Sequence, residues 1–266
     1  MTPLDILIPT CDRPGALAAT LTSLSAQTAQ PFRVVISDQG EQAAQERPEV
    51  ATALRVLELH GCAVEVYRHL PRRGMAEQRQ FLLEQARAPS VLFLDDDLIL
   101  EPWVVAQMLE ALQREGCGFV GSAVIGLSYR ADVRPHQQAV EFWEGPVTPE
   151  TVRPGTAAWE RYMLHNAANL LHVQQQHAPA PEQSRLYKVA WVGGCVLYDR
   201  ACLEAVGGFG FWRELPEHHA GEDVLAQQRV MARFGGCGVM PSGVYHQELP
   251  TTLPNREVDA PKVLDL

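Results

Sequence analysis

The sequence predicts an α/β protein in which helices flank a mostly parallel central sheet. Through the first half of the chain, short apolar runs of strand length alternate with amphipathic stretches of helix length. Pro and Gly residues, which favour the starts and ends of helices, separate the two kinds of segment. Strands that alternate with helical segments of about 10–15 residues form right-handed βαβ units, and such units build parallel sheets.

The first half contains the most regular elements. Strands are expected at residues 4–8, 33–37, 63–67, 90–94 and 117–125, where apolar residues dominate runs of strand length. Helices are expected from Pro14 onward and over residues 49–60, 74–87 and 102–116, where apolar residues recur at helical spacing. Gly61 and Gly116 suit the positions that follow the ends of helices.

The second half is less regular. Residues 127–188 contain one predicted helix, at 157–171, and a polar stretch at 174–181 that predicts a mobile loop. Further elements are a helix at 222–234 and strands at 187–191, 194–198 and 237–240. The last residues, 247–266, contain prolines, charges and few large apolar side chains, which predicts a loosely held tail.

Composition and charge narrow the function classes. The chain has a formal net charge of -10, which argues against a nucleic-acid partner because duplex binding depends on Lys and Arg. The six cysteines are dispersed, and no secretory signal opens the chain. No apolar stretch approaches the ~20 residues that span a bilayer. We therefore expect a reduced, cytoplasmic protein, and peripheral contact with a membrane stays open.

Three consecutive carboxylates give the strongest functional signal. Asp95, Asp96 and Asp97 follow the predicted strand at 90–94, at the carboxyl edge where open α/β sheets bind ligands. Three negative charges at one point are unfavourable unless a cation lies among them. Mg²⁺ and Mn²⁺ bind through oxygen ligands and bring phosphate groups with them. A solvated acidic turn before the next helix is the alternative interpretation.

Other polar residues lie near the same predicted edge. Thr10 and Arg13 follow the first strand, and Asp38 ends the second. Asp38 either accepts hydrogen bonds from a base or a ribose, or it begins a turn with Gly40. Arg79 lies on the helix that leads to the aspartates, where it balances their charge or holds a diphosphate.

Two features of the second half complete the candidate set. Glu222 and Asp223 open a predicted helix, where the helix dipole favours acidic residues and where a carboxylate in a cleft can serve as a general base. His246 lies beyond the last predicted strand. A lone His is more often structural, yet a neutral imidazole can complete the coordination of Mn²⁺. The basic pair Arg72-Arg73 is expected to be solvated.

Taken in order, these segments resemble the family 2 glycosyltransferases of the GT-A fold. The matching segments share their order and context and are Ile8-Pro9-Thr10 with Arg13, Val34 to Asp38, Gly74 to Arg79, Phe93 to Asp97, Gly193-Gly194, Gly207-Gly208-Phe209 and Gly221-Glu222-Asp223. The resemblance covers residues 4–125 and 187–246. It implies a Rossmann-like, mostly parallel sheet with a smaller acceptor-side region, all in a single domain.

The resemblance also implies a division of the chain and an activity. Residues 1–125 would form the nucleotide-sugar-binding half and 126–246 the acceptor and catalytic half. The activity would be inverting transfer of a sugar from a nucleotide-diphospho-sugar, with a UDP-sugar favoured, to a hydroxyl of a glycan, lipid-linked or small-molecule acceptor. Mn²⁺ or Mg²⁺ would assist departure of the nucleoside diphosphate. Polysaccharide biosynthesis in the cytoplasm, or at the inner face of the membrane, would be the setting.

The resemblance assigns roles to single residues at predicted strand ends and helix starts. The donor-binding set is Pro9, Thr10, Arg13, Asp38, Gly74, Arg79, Asp95 and Asp96. Within it, Pro9, Thr10 and Asp38 would contact base and ribose. The metal set is Asp97, Asp95 and His246, with Asp97 as the direct ligand. Asp223 would be the catalytic base, with Glu222 as the alternative.

Other function classes stay open as alternatives. A catalytically silent protein of this fold would bind a nucleotide or a partner without turnover. A sugar nucleotidyltransferase would have a Gly-rich, basic loop after the first strand, which residues 9–14 lack. Two positions depart from the family pattern: the segment after Asp38 has no Ser-containing continuation, and Gln80 stands where Asn is common. Residues 127–188 match no part of the family, so the acceptor and the oligomeric state are left undetermined.

Overall fold

A mixed sheet of eight strands lies at the centre of the computed structural model, which describes residues 3–251 and 256–266. The strands, including two that form a separate ribbon, are β1 (Leu4–Thr10), β2 (Arg33–Asp38), β3 (Ala63–Arg68), β4 (Ser90–Leu94), β5 (Leu98–Leu100), β6 (Phe119–Gly121), β7 (Arg185–Tyr187), β8 (Cys195–Asp199), β9 (Gly236–Met240) and β10 (Val244–His246). The helices are α1 (Pro14–Ser25), α2 (Pro48–Leu59), α3 (Met75–Gln85), α4 (Val104–Glu115), α5 (Asn169–His177), α6 (Arg200–Ala205), α7 (Glu222–Phe234) and α8 (Ala260–Val263).

The order of the strands creates a switch point in the large sheet. The order is β3-β2-β1-β4-β8-β6-β9-β7, and β3, β2, β1 and β4 are parallel neighbours. After β3 the chain crosses to the other side of β1 to form β4, so the strand order reverses between β1 and β4. Open α/β sheets bind ligands beyond the carboxyl ends of the strands at such a point. β1 ends at Thr10 and β4 ends immediately before Asp95, so both lead into this crevice.

Apolar side chains alternate between two cores on opposite faces of the sheet. On β1, Ile6 and Ile8 belong to the core that α1, α2 and α4 cover, whereas Leu7 belongs to the core that α3, α5 and α7 cover. Because successive side chains of a strand point to opposite faces, a strand covered on both sides is apolar throughout. All seven residues of β1 are buried. This double burial explains why β1, β2 and β4 are largely apolar runs.

A short antiparallel ribbon, which the sequence did not predict, brings His246 to the aspartates. β5 and β10 pair so that His246 lies opposite Leu98 and Val244 lies opposite Leu100. Each strand has only three residues, which is too short for a recognisable periodic pattern. The pairing places His246 across from the residue that follows Asp97.

Three predicted elements have wrong bounds. The strand predicted at 117–125 is limited to β6, because the chain then leaves the large sheet and Ile125 pairs with Tyr245 of β10. The helix predicted at 157–171 is a 3₁₀ segment, Ala157–His165, followed by α5, because the backbone reverses at Ala167, where φ is +51°. The strand predicted at 187–191 is instead β7 and ends at Tyr187.

The polar segments are better packed than their composition suggests. The loop predicted at 174–181 is wrong in its first four residues, which form the last turn of α5. Gln174 there is buried, and its Oε1 accepts the backbone N–H of Ser242 at 3.0 Å. Within the tail, Asp259 forms a bridge with Ala220, and Ala260 is buried. Residues 252–255 of the tail lie outside the described residues.

None of the helices in residues 3–251 and 256–266 combines the length and the apolar character of a membrane span.

Candidate active site

A cleft of about 620 Å³ lies at the carboxyl edge of the sheet, at the switch point between β1 and β4. All but one of the predicted site residues line it, namely Pro9, Thr10, Arg13, Gly74, Arg79, Asp95, Asp96, Asp97, Glu222, Asp223 and His246. These residues come from five separate parts of the chain, so the fold brings together what the sequence disperses.

Asp38 is the predicted site residue that does not line the cleft. Its buried carboxylate accepts the backbone N–H groups of Gly40 and Ala44 at 2.8 and 2.7 Å. It also forms an ion pair with Arg68 at 2.7 Å. The carboxylate therefore stabilises the turn after β2, which was the alternative interpretation of this residue. Its contact with a base or a ribose stays a prediction.

Two of the three aspartates occupy different environments in the crevice. Asp96 is buried, and one of its carboxylate oxygens accepts the Thr10 hydroxyl at 2.6 Å. Burial raises the pKa of Asp96 to about 7, against the opposing effect of the Thr10 hydrogen bond, and the neighbouring Asp97 carboxylate adds to the increase. Asp97 instead pairs with Arg13, whose Nη1 lies 2.7 Å from its Oδ2. The Thr10–Asp96 bond joins the ends of β1 and β4 directly.

The side chains of Asp97 and His246 offer the types of atom, a carboxylate oxygen and an imidazole nitrogen, that bind a divalent cation. Asp97 Oδ2 lies 3.4 Å from His246 Nε2, and both side chains line the cleft. In the described ranges, no three His, Cys, Asp or Glu side chains are grouped as a complete metal site. Mg²⁺ commonly takes only one or two protein carboxylates, because waters and substrate phosphates supply its other ligands. The pair therefore suits a cation that arrives with a phosphate group.

The hydrogen bonds of His246 define its present tautomer. Its Nδ1 accepts the backbone N–H of Glu248 at 2.8 Å. A neutral ring that accepts at Nδ1 carries its proton on Nε2, and that proton faces Asp97. Nε2 can bind a cation only in the other neutral tautomer, with the proton on Nδ1, so cation binding by His246 requires the hydrogen bond from Glu248 to break.

Arg79 joins the aspartates to the start of α7. Its side chain is 7% exposed, and its Nη2 lies 2.9 Å from Asp95 Oδ1 while its Nε lies 3.0 Å from Glu222 Oε1. Although burial opposes the charged form, the carboxylates of Asp95 and Glu222 raise the pKa of Arg79 above its usual value. Arg79 is therefore a charged residue of the cleft lining that pairs with two carboxylates.

Asp223 differs from its neighbour Glu222 because no Lys, Arg or His of the described chain forms an ion pair with it. Its Oδ1 accepts the backbone N–H of Val224 at 2.9 Å. Burial raises the pKa of Asp223 to about 7, and the Glu222 carboxylate adds to the increase while Arg79 opposes it. A carboxyl group whose pKa lies near neutral pH suits a general base.

A buried histidine anchors the loop before α7 to the start of α3. His219 is 1% exposed, its Nδ1 donates to the carbonyl oxygen of Pro216 at 2.7 Å, and its Nε2 accepts the backbone N–H of Ala76 at 3.1 Å. Gly74 lies so close that a Cβ there would be 2.6 Å from the carbonyl oxygen of Glu217. This contact holds the helix of the predicted base against the helix of Arg79.

We expect Gly74→Ala to lower the free energy of unfolding by about 1–3 kcal/mol, because the φ of +98° strains a residue with a Cβ and the loop leaves no room for it. Gly61→Ala is the matched control, since Gly61 has a similar φ of +82° but no atom within 4 Å of a Cβ. Urea unfolding of both variants measures the difference. Equal losses would contradict the close packing of the loop on α3.

The cleft also contains residues to which the sequence assigned no role. They are Cys11, Gln39, Arg72, Met75, Gln78, Glu217, His218, Ala220, Gly221, Leu249, Thr251 and Arg256. Arg72 is exposed, as expected, and its position shortly before Gly74 was the one available signal that it borders the site. Arg256 comes from the tail, where no local pattern indicates a position in the cleft.

An aromatic cluster lies beside α7. Trp191 stacks on Tyr162 with ring centroids 5.2 Å apart and lies 4.7 Å from the ring of Trp159. The next residue, Val192, exchanges two hydrogen bonds of 2.8 Å with the side chain of Gln227 on α7. All three rings are partly exposed. The cluster is therefore fixed to the helix that carries the predicted base.

Comparison with known families identifies the chain. The family model described as glycosyl transferase family 2 matches residues 5–173, which is more than half of the chain. The match includes residues 127–173, so the expectation that residues 127–188 match no part of the family is wrong for this stretch. The chain belongs to glycosyl transferase family 2. The family predicted from the sequence segments is therefore confirmed, and membership supports a glycosyl-transfer function. No curated protein matches the sequence significantly.

Solved structures show that this family 2 protein has the predicted GT-A architecture. S. aureus TarS 1-349 superposes with a TM-score of 0.56 at 14% identity, over 92% of this chain and 60% of that one. Mannosyltransferase PcManGT from Pyrobaculum calidifontis superposes with a TM-score of 0.58 at 15% identity, over 94% of this chain and 58% of that one. At these identities the likeness establishes the fold. This chain spans about three-fifths of the length of both structures.

Proposed function

We propose that this protein transfers a sugar from a nucleotide-diphospho-sugar to an acceptor hydroxyl, with inversion at the anomeric carbon. The observation that carries the proposal is Asp223, whose carboxyl group forms no ion pair with any described residue and has its pKa raised to about 7, in the same cleft as the Asp97–His246 pair. The same cleft thus offers a proton acceptor and ligands for a cation that would carry a diphosphate.

In the proposed reaction, the acceptor oxygen bonds to the anomeric carbon while the bond from that carbon to the diphosphate oxygen breaks. The hydroxyl proton passes to Asp223, and the leaving diphosphate keeps the electron pair. A single displacement inverts the configuration of the carbon. Asp223 is the better base of the acidic pair, because Glu222 is held by Arg79 at 3.0 Å and Asp223 has no such partner in the described ranges.

A divalent cation, Mn²⁺ or Mg²⁺, would be held by Asp97 and His246 with Asp95 close by, and it would supply Lewis-acid stabilisation of the leaving diphosphate. Arg13, which lies 2.7 Å from Asp97, would contact the donor phosphates. Thr10, Asp96 and Gly74 line the part of the cleft that we assign to the rest of the donor.

The donor and acceptor classes are further parts of the proposal. A UDP-sugar is the favoured donor, and structural neighbours support a nucleotide sugar, since TarS 1-349 has been solved with UDP-GlcNAc and PcManGT with GDP-Man and Mn²⁺. We assign the acceptor, a carbohydrate or lipid-linked hydroxyl, to the side of α7 that carries the aromatic cluster. Residues 1–125 would bind the donor and 126–246 the acceptor.

A thermal-shift panel tests the site. We expect one of UDP, GDP, dTDP and CDP to stabilise the protein in the presence of Mn²⁺, and a ligand at 100 times its dissociation constant adds about 2.7 kcal/mol. Asp97→Asn keeps the size of the side chain but removes its charge, so this variant should lose the Mn²⁺-dependent part of the shift. If no nucleotide shifts the wild-type protein, the catalytically silent alternative is favoured instead.

A further inference from the structure

A second cavity, of about 530 Å³, lies beside the C-terminal half of α7. It shares no residue with the cleft, and its lining is Thr151, Arg153, Val206, Arg229, Ala232, Arg233 and Leu266. Arg229 and Arg233 lie six and ten residues after Asp223 on the same helix, which is roughly 9 and 15 Å along its axis. The cavity is therefore separate from the predicted base.

The cationic side chains of this cavity lack acidic partners. In the described ranges no Asp or Glu lines it, and Arg153, Arg229 and Arg233 form no ion pair. Arg33 and Arg161, by contrast, each pair with two carboxylates. The chain has a net charge of -10, so the grouping of unpaired arginines does not follow from a surplus of basic residues. Like charges gathered at one point are unfavourable unless an opposite charge lies among them.

Hydrogen bonds to carbonyl groups fix two of these arginines in place. Nε and Nη2 of Arg229 donate to the carbonyl oxygen of Asp265 at 3.2 and 2.6 Å, and Nη1 of Arg233 donates to that of Ala205 at 3.0 Å. A carbonyl group is neutral, so it holds a guanidinium without cancelling the charge. Arg229 and Arg233 are also four residues apart on α7, a spacing at which like charges destabilise a helix. Each guanidinium has five N–H groups, so both keep donors for a ligand.

We propose that this cavity binds a phosphate group. Guanidinium groups pair with phosphate oxygens through two parallel hydrogen bonds. The helix dipole favours a basic residue in the last turn of α7, which explains Arg233, but it does not explain Arg153, which a separate loop brings to the same cavity. The volume is that of a small-ligand site, and Val206 and Leu266 add apolar surface. The phosphate group would therefore belong to a small phosphorylated molecule or to a lipid headgroup.

Calorimetry with inorganic phosphate and with pyrophosphate, at constant ionic strength and without divalent cations or nucleotides, tests the cavity. Arg153→Gln and Arg229→Gln should each weaken binding by about 10–100-fold, the effect of losing a hydrogen bond to a charged group. Arg153→Gln is the safer variant for folding, because the Arg153 side chain has no hydrogen bond in the described part of the chain. Arg55→Gln, which removes an exposed Arg of α2, should leave binding unchanged.

Vesicles distinguish the two sources of the phosphate group. Cosedimentation compares phosphatidylcholine vesicles with and without phosphatidic acid. Binding that requires phosphatidic acid and is lost in Arg153→Gln supports the proposal and assigns the cavity to a lipid headgroup. Binding of pyrophosphate without binding to either vesicle also supports the proposal and assigns the cavity to a soluble ligand.

Two results would overturn the proposal. One is a wild-type protein that binds neither phosphate, pyrophosphate nor the vesicles. The other is equal affinity of the wild-type protein, Arg153→Gln and Arg229→Gln, because the anion would then bind elsewhere, such as beside Arg13 in the cleft. Neither result affects the proposed sugar transfer, since this cavity involves neither the donor nor the cation. A thermal-shift panel without nucleotide binding would in turn overturn the transfer function and leave the cavity untouched.

Discussion

Asp223→Asn should reduce the rate of sugar transfer by about 10²–10⁴-fold, the usual contribution of a general base. Asn keeps the shape of the side chain and the acceptor for the Val224 N–H, but it cannot take a proton from the acceptor hydroxyl. The measurement is Mn²⁺-dependent turnover of the nucleotide sugar whose nucleotide gives the largest thermal shift. Nucleotide affinity should be retained, because the substitution leaves the Asp97–His246 pair and Arg13 unchanged.

Glu222→Gln is the matched control for that substitution. Glu222 precedes Asp223 and pairs with Arg79, so its replacement should act mainly on stability. If Asp223→Asn turns over at the wild-type rate while Glu222→Gln loses activity, Glu222 is the base and our assignment is wrong.

The raised pKa of Asp223 also predicts two opposite effects of pH. Activity should increase as the pH rises through about 7, because the base must be ionised. Stability should decrease over the same change, because the native state binds this proton more tightly than the unfolded chain does. The contribution of Asp223 to stability is complete below the ordinary Asp value of 3.8 and is lost as the pH passes about 7. Urea unfolding of the wild-type protein and Asp223→Asn at several pH values should show a weaker decrease in the variant.

Arg79→Met should lower the free energy of unfolding by about 3–5 kcal/mol, because it leaves two carboxylates of the cleft without their cation. The Arg79 side chain is 7% exposed and lies within 3.0 Å of both Asp95 and Glu222. For a chain of this size the loss corresponds to a decrease in Tm of roughly 6–20 °C. Met fills a similar volume, so most of the loss comes from charge and not from a cavity.

Two comparisons isolate that charge effect. In the double variant Arg79→Met with Glu222→Gln, one unpaired charge is removed, and part of the lost stability should return. Arg114→Met removes an Arg that is 52% exposed and pairs with Glu115, and it should cost less than about 1 kcal/mol. Equal Tm values for Arg79→Met and the wild-type protein would show that the carboxylates do not need Arg79 in the folded state.

Much of the architecture was predictable from local patterns. β1, β2 and β4 were expected where they occur, because strands buried on both faces are largely apolar runs that carry their own signal. The edge strand β3 was also expected where it occurs, although none of its residues is fully buried. α4 ends as expected at Gly116, which adopts a left-handed φ of +61°. The elements with wrong bounds lie beyond residue 116, where short strands and 3₁₀ turns depend on distant partners. Gln174 shows the reason, since its polar stretch is ordered by the backbone of Ser242 and not by its neighbours.

The residue types of the candidate site were predictable from the sequence, but their spatial arrangement was not. The sequence by itself determined the family, the succession along the chain of the strands that carry the site, and the presence of an acidic triplet, a Glu-Asp pair and a candidate His. The tertiary structure decided which of these groups meet. Asp38 stabilises its own turn, Arg79 joins Asp95 to Glu222, and His246 reaches Asp97 through a ribbon of three-residue strands. The physical reason is the distance along the sequence between the residues that interact. Periodicity and turn residues indicate burial within a single helix or strand. The ion pairs and the pKa of Asp223 instead depend on residues that only the folded chain brings within a few ångströms of each other.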